Sequence, residues 1–244
     1  MLVEEVAAAG AVLAGGTRRS VPDSSPVPLF ADVAALAVDS DVVIDFTRAG
    51  TAESHAEALI AAGTPWVLGT SGLSAAEEAA VAHAGRWIPV VYAANFSPGV
   101  TLVLALAEQM AAALPATQYD AEILEMHHRQ KVDAPSGTAI GIGRAVAAGR
   151  KVDLKDVMQS GRDGHTGARP PGAIGFATLR GGQVVGEHSL LFAGADEQII
   201  LTHKAFDRRT FATGAVRAAH WLRDRPPGLY SMKDVLGLSQ GAKG

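Results

Sequence analysis

The 244-residue chain contains no cysteine. Disulfides, thiolate nucleophiles and cysteine-built zinc sites are therefore excluded, and any chemistry falls to His, Lys, Asp, Glu, Ser or a bound cofactor. The same absence suits a cytoplasmic protein. An excess of charge of one sign is also lacking, since 21 Lys and Arg stand against 25 Asp and Glu, a formal net charge of -4. With the two signs interspersed there is no broad basic field for nucleic acid or an anionic membrane, and neither partner is expected. Long hydrophobic runs are missing too. The start, Met1 to Gly10, has no basic leader and no apolar stretch of signal or spanning length, and the Ala-rich run Leu102 to Leu114 is short and interrupted by Glu108 and Gln109. Repeats and low-complexity segments are absent. What remains is an ordinary globular composition, 48% hydrophobic and 19% charged, long enough for one large domain or two ordinary ones.

Residues 1 to 9 read as the second half of a helix closed by Gly10, and Val12-Leu13-Ala14-Gly15 as a buried strand ending in Gly16-Thr17-Arg18-Arg19. Beyond a Pro- and Ser-rich loop, Pro22 to Pro28, short apolar strands alternate with helical stretches. Strand 41 to 46 leads to helix 51 to 62, strand 65 to 68 to helix 74 to 84, and strand 88 to 92 follows. That rhythm means a parallel α/β sheet. After Asn95-Phe96-Ser97-Pro98 and a long helix to about Ala113, the pattern turns to strands separated by Gly181-Gly182 and Gly194-Ala195-Asp196, which predicts a meander-like antiparallel arrangement in a second domain. A last helix, about 209 to 223, is expected to return to the first domain and make it discontinuous.

The richest stretch is Glu122 to Ala139, Glu-Ile-Leu-Glu-Met-His-His-Arg-Gln-Lys-Val-Asp-Ala-Pro-Ser-Gly-Thr-Ala. A strand over 121 to 128 delivers His127 and His128, a polar loop carries Arg129 and Lys131, and Ser136-Gly137-Thr138 opens a helix with Ser136 as its N-cap. Unpaired N–H groups at that helix start offer a carboxylate cradle, Lys131 adds charge, and the histidines exchange protons near neutral pH. By residue type alone, a solvated turn beside a capped helix is the commoner explanation, and catalysis is the alternative.

These eighteen residues resemble the signature of the 4-hydroxy-tetrahydrodipicolinate (dihydrodipicolinate) reductase family. The resemblance extends to Gly69-Thr70-Ser71-Gly72, Ala93-Ala94-Asn95-Phe96-Ser97, residues 161 to 167, Ile174 to Thr178, Val185 to His188 and Thr202 to Ala205. It implies a Rossmann-like parallel-sheet cofactor domain of residues 1–97 and 209–244 and an α+β substrate domain with a mixed sheet, residues 98–208, with the site in the cleft between them. It further implies NADPH or NADH as cofactor, a small cyclic dicarboxylate as substrate and a homotetramer. Proton transfer falls by resemblance on His127 and Lys131, and substrate contacts on His128, Gly137 and Thr138, with Ser136 and Arg208 as further candidates. The loops Gly69-Thr70-Ser71 and Ala93-Ala94-Asn95-Phe96 hold the nicotinamide half of the cofactor. Thr70-Ser71-Gly72 departs from the usual Gly-Thr-Thr-Gly form but keeps the hydroxyl. Arg18 stands where an acidic residue would take the ribose hydroxyls of NADH, which favours the 2'-phosphate of NADPH.

One departure bears on function. The chain begins inside what resembles the first helix, so the glycine-rich phosphate loop is not in the sequence, and roughly twenty residues of a βαβ unit of about thirty are expected to precede Met1. Were the loop truly lacking, the alternative is a non-catalytic dicarboxylate-binding or assembly subunit. A metal-dependent lyase using His127, His128, His165 and His203 is a third reading, without evident carboxylate ligands.

Overall fold

The computed structural model describes residues 1–18, 25 and 27–239. Arg19 and most of the Pro/Ser-rich loop therefore lie outside the described residues. The chain divides into two units, Met1–Pro98 with the stretch from Arg209 onward, and Gly99–Arg208.

The first unit opens with helix α1 (Leu2–Ala8), after which Gly10 takes a φ of 73°. The apolar run after it is not the buried strand expected. Val12 is 93% exposed, and only Gly16–Thr17 (β1) pairs, in parallel, with Leu29–Phe30 (β2). Four apolar residues in a row carry no period, so nothing in them specifies a strand once no neighbour forms a ladder with them. Helix α2 (Val33–Val38) follows, capped by the Asp32 side chain on Ala35 N at 2.9 Å. Then come β3 (Val43–Asp45), α3 (Ala52–Ala62), β4 (Trp66–Leu68), α4 (Ala75–Ala84) and β5 (Pro89–Tyr92). Ser74 and Glu77 close a capping box that starts α4.

Strand side chains alternate between the two faces of the sheet. Trp66, Leu68 and Val90 pack with α2, α3 and α4 on one face, while Val67 and Val91 pack with Ala215, Ala218 and Leu222 on the other. With both faces covered, the strands are apolar apart from the buried Asp45 that ends β3.

The second unit contains α5 (Pro98–Ala113, of which Pro98 belongs to the first unit), β6 (Asp120–His127), α6 (Gly137–Gly149), α7 (Leu154–Val157), β7 (Met158–Ser160), β8 (Ile174–Arg180), β9 (Gly186–Ala193) and β10 (Gln198–Ala205). Its sheet runs β10-β9-β6-β8-β7, with β8 parallel to both β6 and β7, and β9 antiparallel to both β6 and β10. The expected meander is thus confined to β9 and β10. Glycine turns mark a hairpin but do not say which strand occupies the centre. That place goes to β6, the strand whose inward residues Ala121, Ile123, Glu125 and His127 are all buried. Ile123, Ile174, Leu190 and Phe192 form the core with Val103, Ala107, Ile142 and Val146 of α5 and α6. On the other face Leu124, Leu179 and Ile200 remain exposed.

The chain re-enters the first unit with α8 (Arg209–Leu222), β11 (Gly228–Tyr230) and α9 (Met232–Val235). The parallel sheet there has the order β11-β5-β4-β3, which leaves β3 at its edge. A cavity of about 690 Å³ borders that edge, lined by residues 10–17 and 41–45 and by parts of α1 and α8.

Candidate functional site

In the second unit the site grows from the end of β6. Glu125 and His127 are two residues apart, so both project from the inward face. Glu125 is 1% exposed and His127 8%. The Glu125 carboxylate accepts from His127 Nδ1 at 2.6 Å, from both terminal nitrogens of Arg180 at 2.8 and 2.9 Å, from Ser136 N at 3.1 Å and from Thr178 Oγ1 at 3.3 Å. Burial alone would raise its pKa, but the Arg180 and His127 hydrogen bonds outweigh burial and hold it below the usual carboxylate range.

Ser136 caps α6 by accepting from Ala139 N, and its hydroxyl also bonds His188 Nε2 at 3.0 Å. The His127 and His188 rings meet edge to face, 5.0 Å between centroids. Burial, then the neighbouring His127 charge, pushes the His188 pKa down to about 4, and its Nδ1 is buried with no partner among the described residues. His128 accepts from Arg208 at 3.3 Å, so these two candidates are brought together. Lys131 donates to Asp133 at 2.7 Å and makes no hydrogen bond to a histidine among the described residues. Gly137 is exposed and Thr138 half-buried, both in the first turn of α6.

The reading by residue type overlooked Glu125, Thr178, Arg180 and His188. The signal for Glu125 was present. A glutamate on the apolar face of a strand, in phase with Ala121, Ile123 and His127, is costly to bury without partners and so marks a polar network.

In the first unit the loops after β3, β4 and β5 come together, at the carboxyl ends of parallel strands where such sheets take ligands. Asp45 is buried and accepts from Thr47 N and Oγ1 and from His55 Nδ1, the last at 2.7 Å. Burial opposes ionisation there, yet these hydrogen bonds keep its pKa low. The Phe46 ring lies where a Cβ on Gly69 would stand, so that position admits only glycine without a shift. Phe46 also meets Phe96 edge to face at 5.4 Å. Thr70 is buried with its hydroxyl on Thr47 O, and Ser71 is exposed. Ala93 N bonds Leu68 O, Ala94 is exposed, and Asn95 Oδ1 accepts from Ser97 N. Arg18 stands exposed just past β1.

Among the described residues no three His, Asp or Glu side chains gather in a way that could hold a metal, so the lyase reading has no ligand set. Among them also, no helix is long and apolar enough to cross a membrane.

A parallel sheet with converging loops and a mixed sheet carrying a buried His–Glu pair make up the two units of this α/β chain. Family profiles described as dihydrodipicolinate reductase, N-terminus and C-terminus match residues 2–96 and 99–236. The 4-hydroxy-tetrahydrodipicolinate reductase of Granulibacter bethesdensis is 65% identical over 240 residues, covering 98% of this chain and 92% of that one. That of Gluconacetobacter diazotrophicus is 63% identical over 238 residues, with the same shares. Among solved structures, a dipicolinate-bound dihydrodipicolinate reductase from Paenisporosarcina sp. TG-14 superposes with a TM-score of 0.70 at 25% identity, over 87% of this chain and 80% of that one. The chain belongs to the dihydrodipicolinate reductase family.

The neutral His188 makes a prediction about stability. Its folded pKa of about 4 lies below the ordinary 6.5, so the folded protein binds fewer protons than the unfolded chain. The contribution is complete above pH 6.5 and is lost as pH falls toward 4, roughly 3 kcal/mol in all. Urea denaturation from pH 7 to 4 should show this decline, and His188→Asn should flatten it. An unchanged slope in the variant would refute the assignment.

Proposed function

We propose that the protein reduces 4-hydroxy-tetrahydrodipicolinate, the compound in the names of its relatives, to tetrahydrodipicolinate in diaminopimelate and lysine biosynthesis. The observation that carries the proposal is the polar cluster at the end of β6, where the buried His127 adjoins the Ser136 start of α6 and His128 pairs with Arg208. Residues of the first unit fit a nicotinamide cofactor. Gly69 leaves the space in which the Phe46 ring lies, the Thr70 hydroxyl is tied to Thr47 O of the neighbouring loop and the Asn95 side chain to Ser97 N of its own, which fixes the shape of the surface there.

Bound NADPH or NADH supplies the hydride. The reaction adds that hydride and one proton to the substrate and releases water. His127, with Lys131, moves the proton, and their acid–base role is worth roughly 10²–10⁴-fold in rate. His128, Gly137 and Thr138 bind the ring carboxylates, the latter two through the backbone N–H and hydroxyl of a helix start. Arg208 adds a cation beside His128, and Ser136 acts through its cap rather than by contact, because its hydroxyl and N–H are engaged. Arg18 favours the 2'-phosphate of NADPH. The exposed Leu124, Leu179 and Ile200 face needs cover, and a second copy of the same sheet supplies it in a homotetramer. A cysteine-free chain suits the cytoplasm, and cell fractionation would check that placement.

With enzymatically generated substrate, the purified protein should consume NADPH absorbance. Protein that binds pyridine-2,6-dicarboxylate yet never oxidises NADPH would favour the non-catalytic subunit instead. His127→Gln and Lys131→Ala should each lower kcat by on the order of 100-fold or more while cofactor affinity holds, and full turnover in both removes the assignment. Arg18→Ala should raise KM for NADPH more than for NADH, and equal effects would count against the 2'-phosphate reading. Leu124→Asp with Ile200→Glu should shift sedimentation from tetramer to smaller species, and an unchanged tetramer would place the interface elsewhere.

A further inference from the structure

We propose that Glu125 is a positioning residue that sets the tautomer of His127, so that Nε2 alone is offered to the substrate. This rests on the reading of His127 as the proton-transferring group.

The Arg180 guanidinium and the Ser136 N–H are donors with nothing to accept a carboxylic proton, and they hold three contacts to Glu125, with His127 making a fourth. Glu125 is therefore ionised, in agreement with its lowered pKa. A carboxylate only accepts, so His127 Nδ1 must carry hydrogen. In the neutral imidazole the lone pair then sits on Nε2, and in the cation the labile proton leaves from Nε2.

Two further features separate this arrangement from a plain buried ion pair. The charge of Glu125 is already balanced by the bidentate Arg180, so His127 can gain or lose a proton without leaving the carboxylate uncompensated. Nε2 itself has no hydrogen-bond partner among the described residues, and the residue beside it is Gly186 of β9. A Cβ built on Gly186 would stand 3.1 Å from His127 Nε2 and 3.4 Å from its Cδ2, tighter than ordinary contact. Absence of a side chain at 186 keeps the reactive nitrogen approachable, while the edge of His188 holds the ring from another side.

The test is ring-¹⁵N histidine labelling of the full-length protein, with His127→Gln used to assign the His127 signals. The expected wild-type spectrum, recorded with His127 neutral, shows hydrogen on Nδ1 and a bare Nε2. Glu125→Gln should shift His127 toward the other tautomer and lower kcat by on the order of 100-fold with KM changed little. Gly186→Ala should lower kcat and leave the tautomer alone. A loss of kcat in Glu125→Gln without any change of tautomer would mean a merely structural role and overturn the proposal. Should that variant fail to fold, the wild-type spectrum decides, because hydrogen on Nε2 in neutral His127 overturns it equally. Full activity of His127→Gln, by contrast, sinks the catalytic reading of His127 and leaves the tautomer measurement standing.

Discussion

A carboxylate buried in the middle of a sheet face is the constraint on which the second unit turns. An ionised group taken from water costs several kcal/mol unless its lone pairs are met and its charge balanced. Glu125 meets that requirement with donors drawn from three places. His127 comes from its own strand, Thr178 and Arg180 from the neighbouring β8, and Ser136 from the start of α6. Arg180 also donates to Asp133 O at 2.7 Å. One charge thereby ties strand, loop and helix start, and the segment from His127 to Ser136 is held at both ends. Losing Arg180 would leave the others around an uncompensated charge, which makes the cluster behave as a unit.

The first unit uses the same device on a smaller scale. Asp45 ends β3 and is buried, and its oxygens are met by Thr47 in the next loop and by His55 on α3. Thr47 in turn receives the Thr70 hydroxyl from the following loop. In both units, then, a buried acid near the end of a strand ties down the exit that follows it. Loops that must present groups to a ligand gain order this way without extra apolar bulk.

Much of this was legible in the sequence, and the exceptions have physical causes. Strands β3, β4 and β5 are apolar because both faces are covered, so their runs stood out, and α4 announced itself through Ser74 and Glu77. The Val12 run misled because apolar character without alternation describes a strand only when a neighbour pairs with it. The place of β8 beside β6 was hidden for a related reason, since glycine turns speak of adjacent strands and β8 reaches β6 across α6, α7 and β7. Within the site, His127, His128, Lys131 and Ser136 were found because their types are chemically conspicuous in a row. Arg180 and His188 were missed because they reach the cluster from 50 or more residues away in sequence, as the Ser136–His188 separation of 52 shows, and no local period connects them.

That contrast explains how the two histidines of the pair differ. They are adjacent on one strand end, so their side chains leave on opposite faces. His127 faces inward, where Glu125 and His188 surround it, and His128 faces outward to an exposed arginine. A buried imidazole with one nitrogen committed is suited to moving a proton along one direction. A half-exposed one beside a guanidinium is suited to holding an anion in water. The division of labour proposed for the pair, proton transfer for one and substrate binding for the other, would follow from the pleat of the strand, before any property peculiar to either residue is invoked.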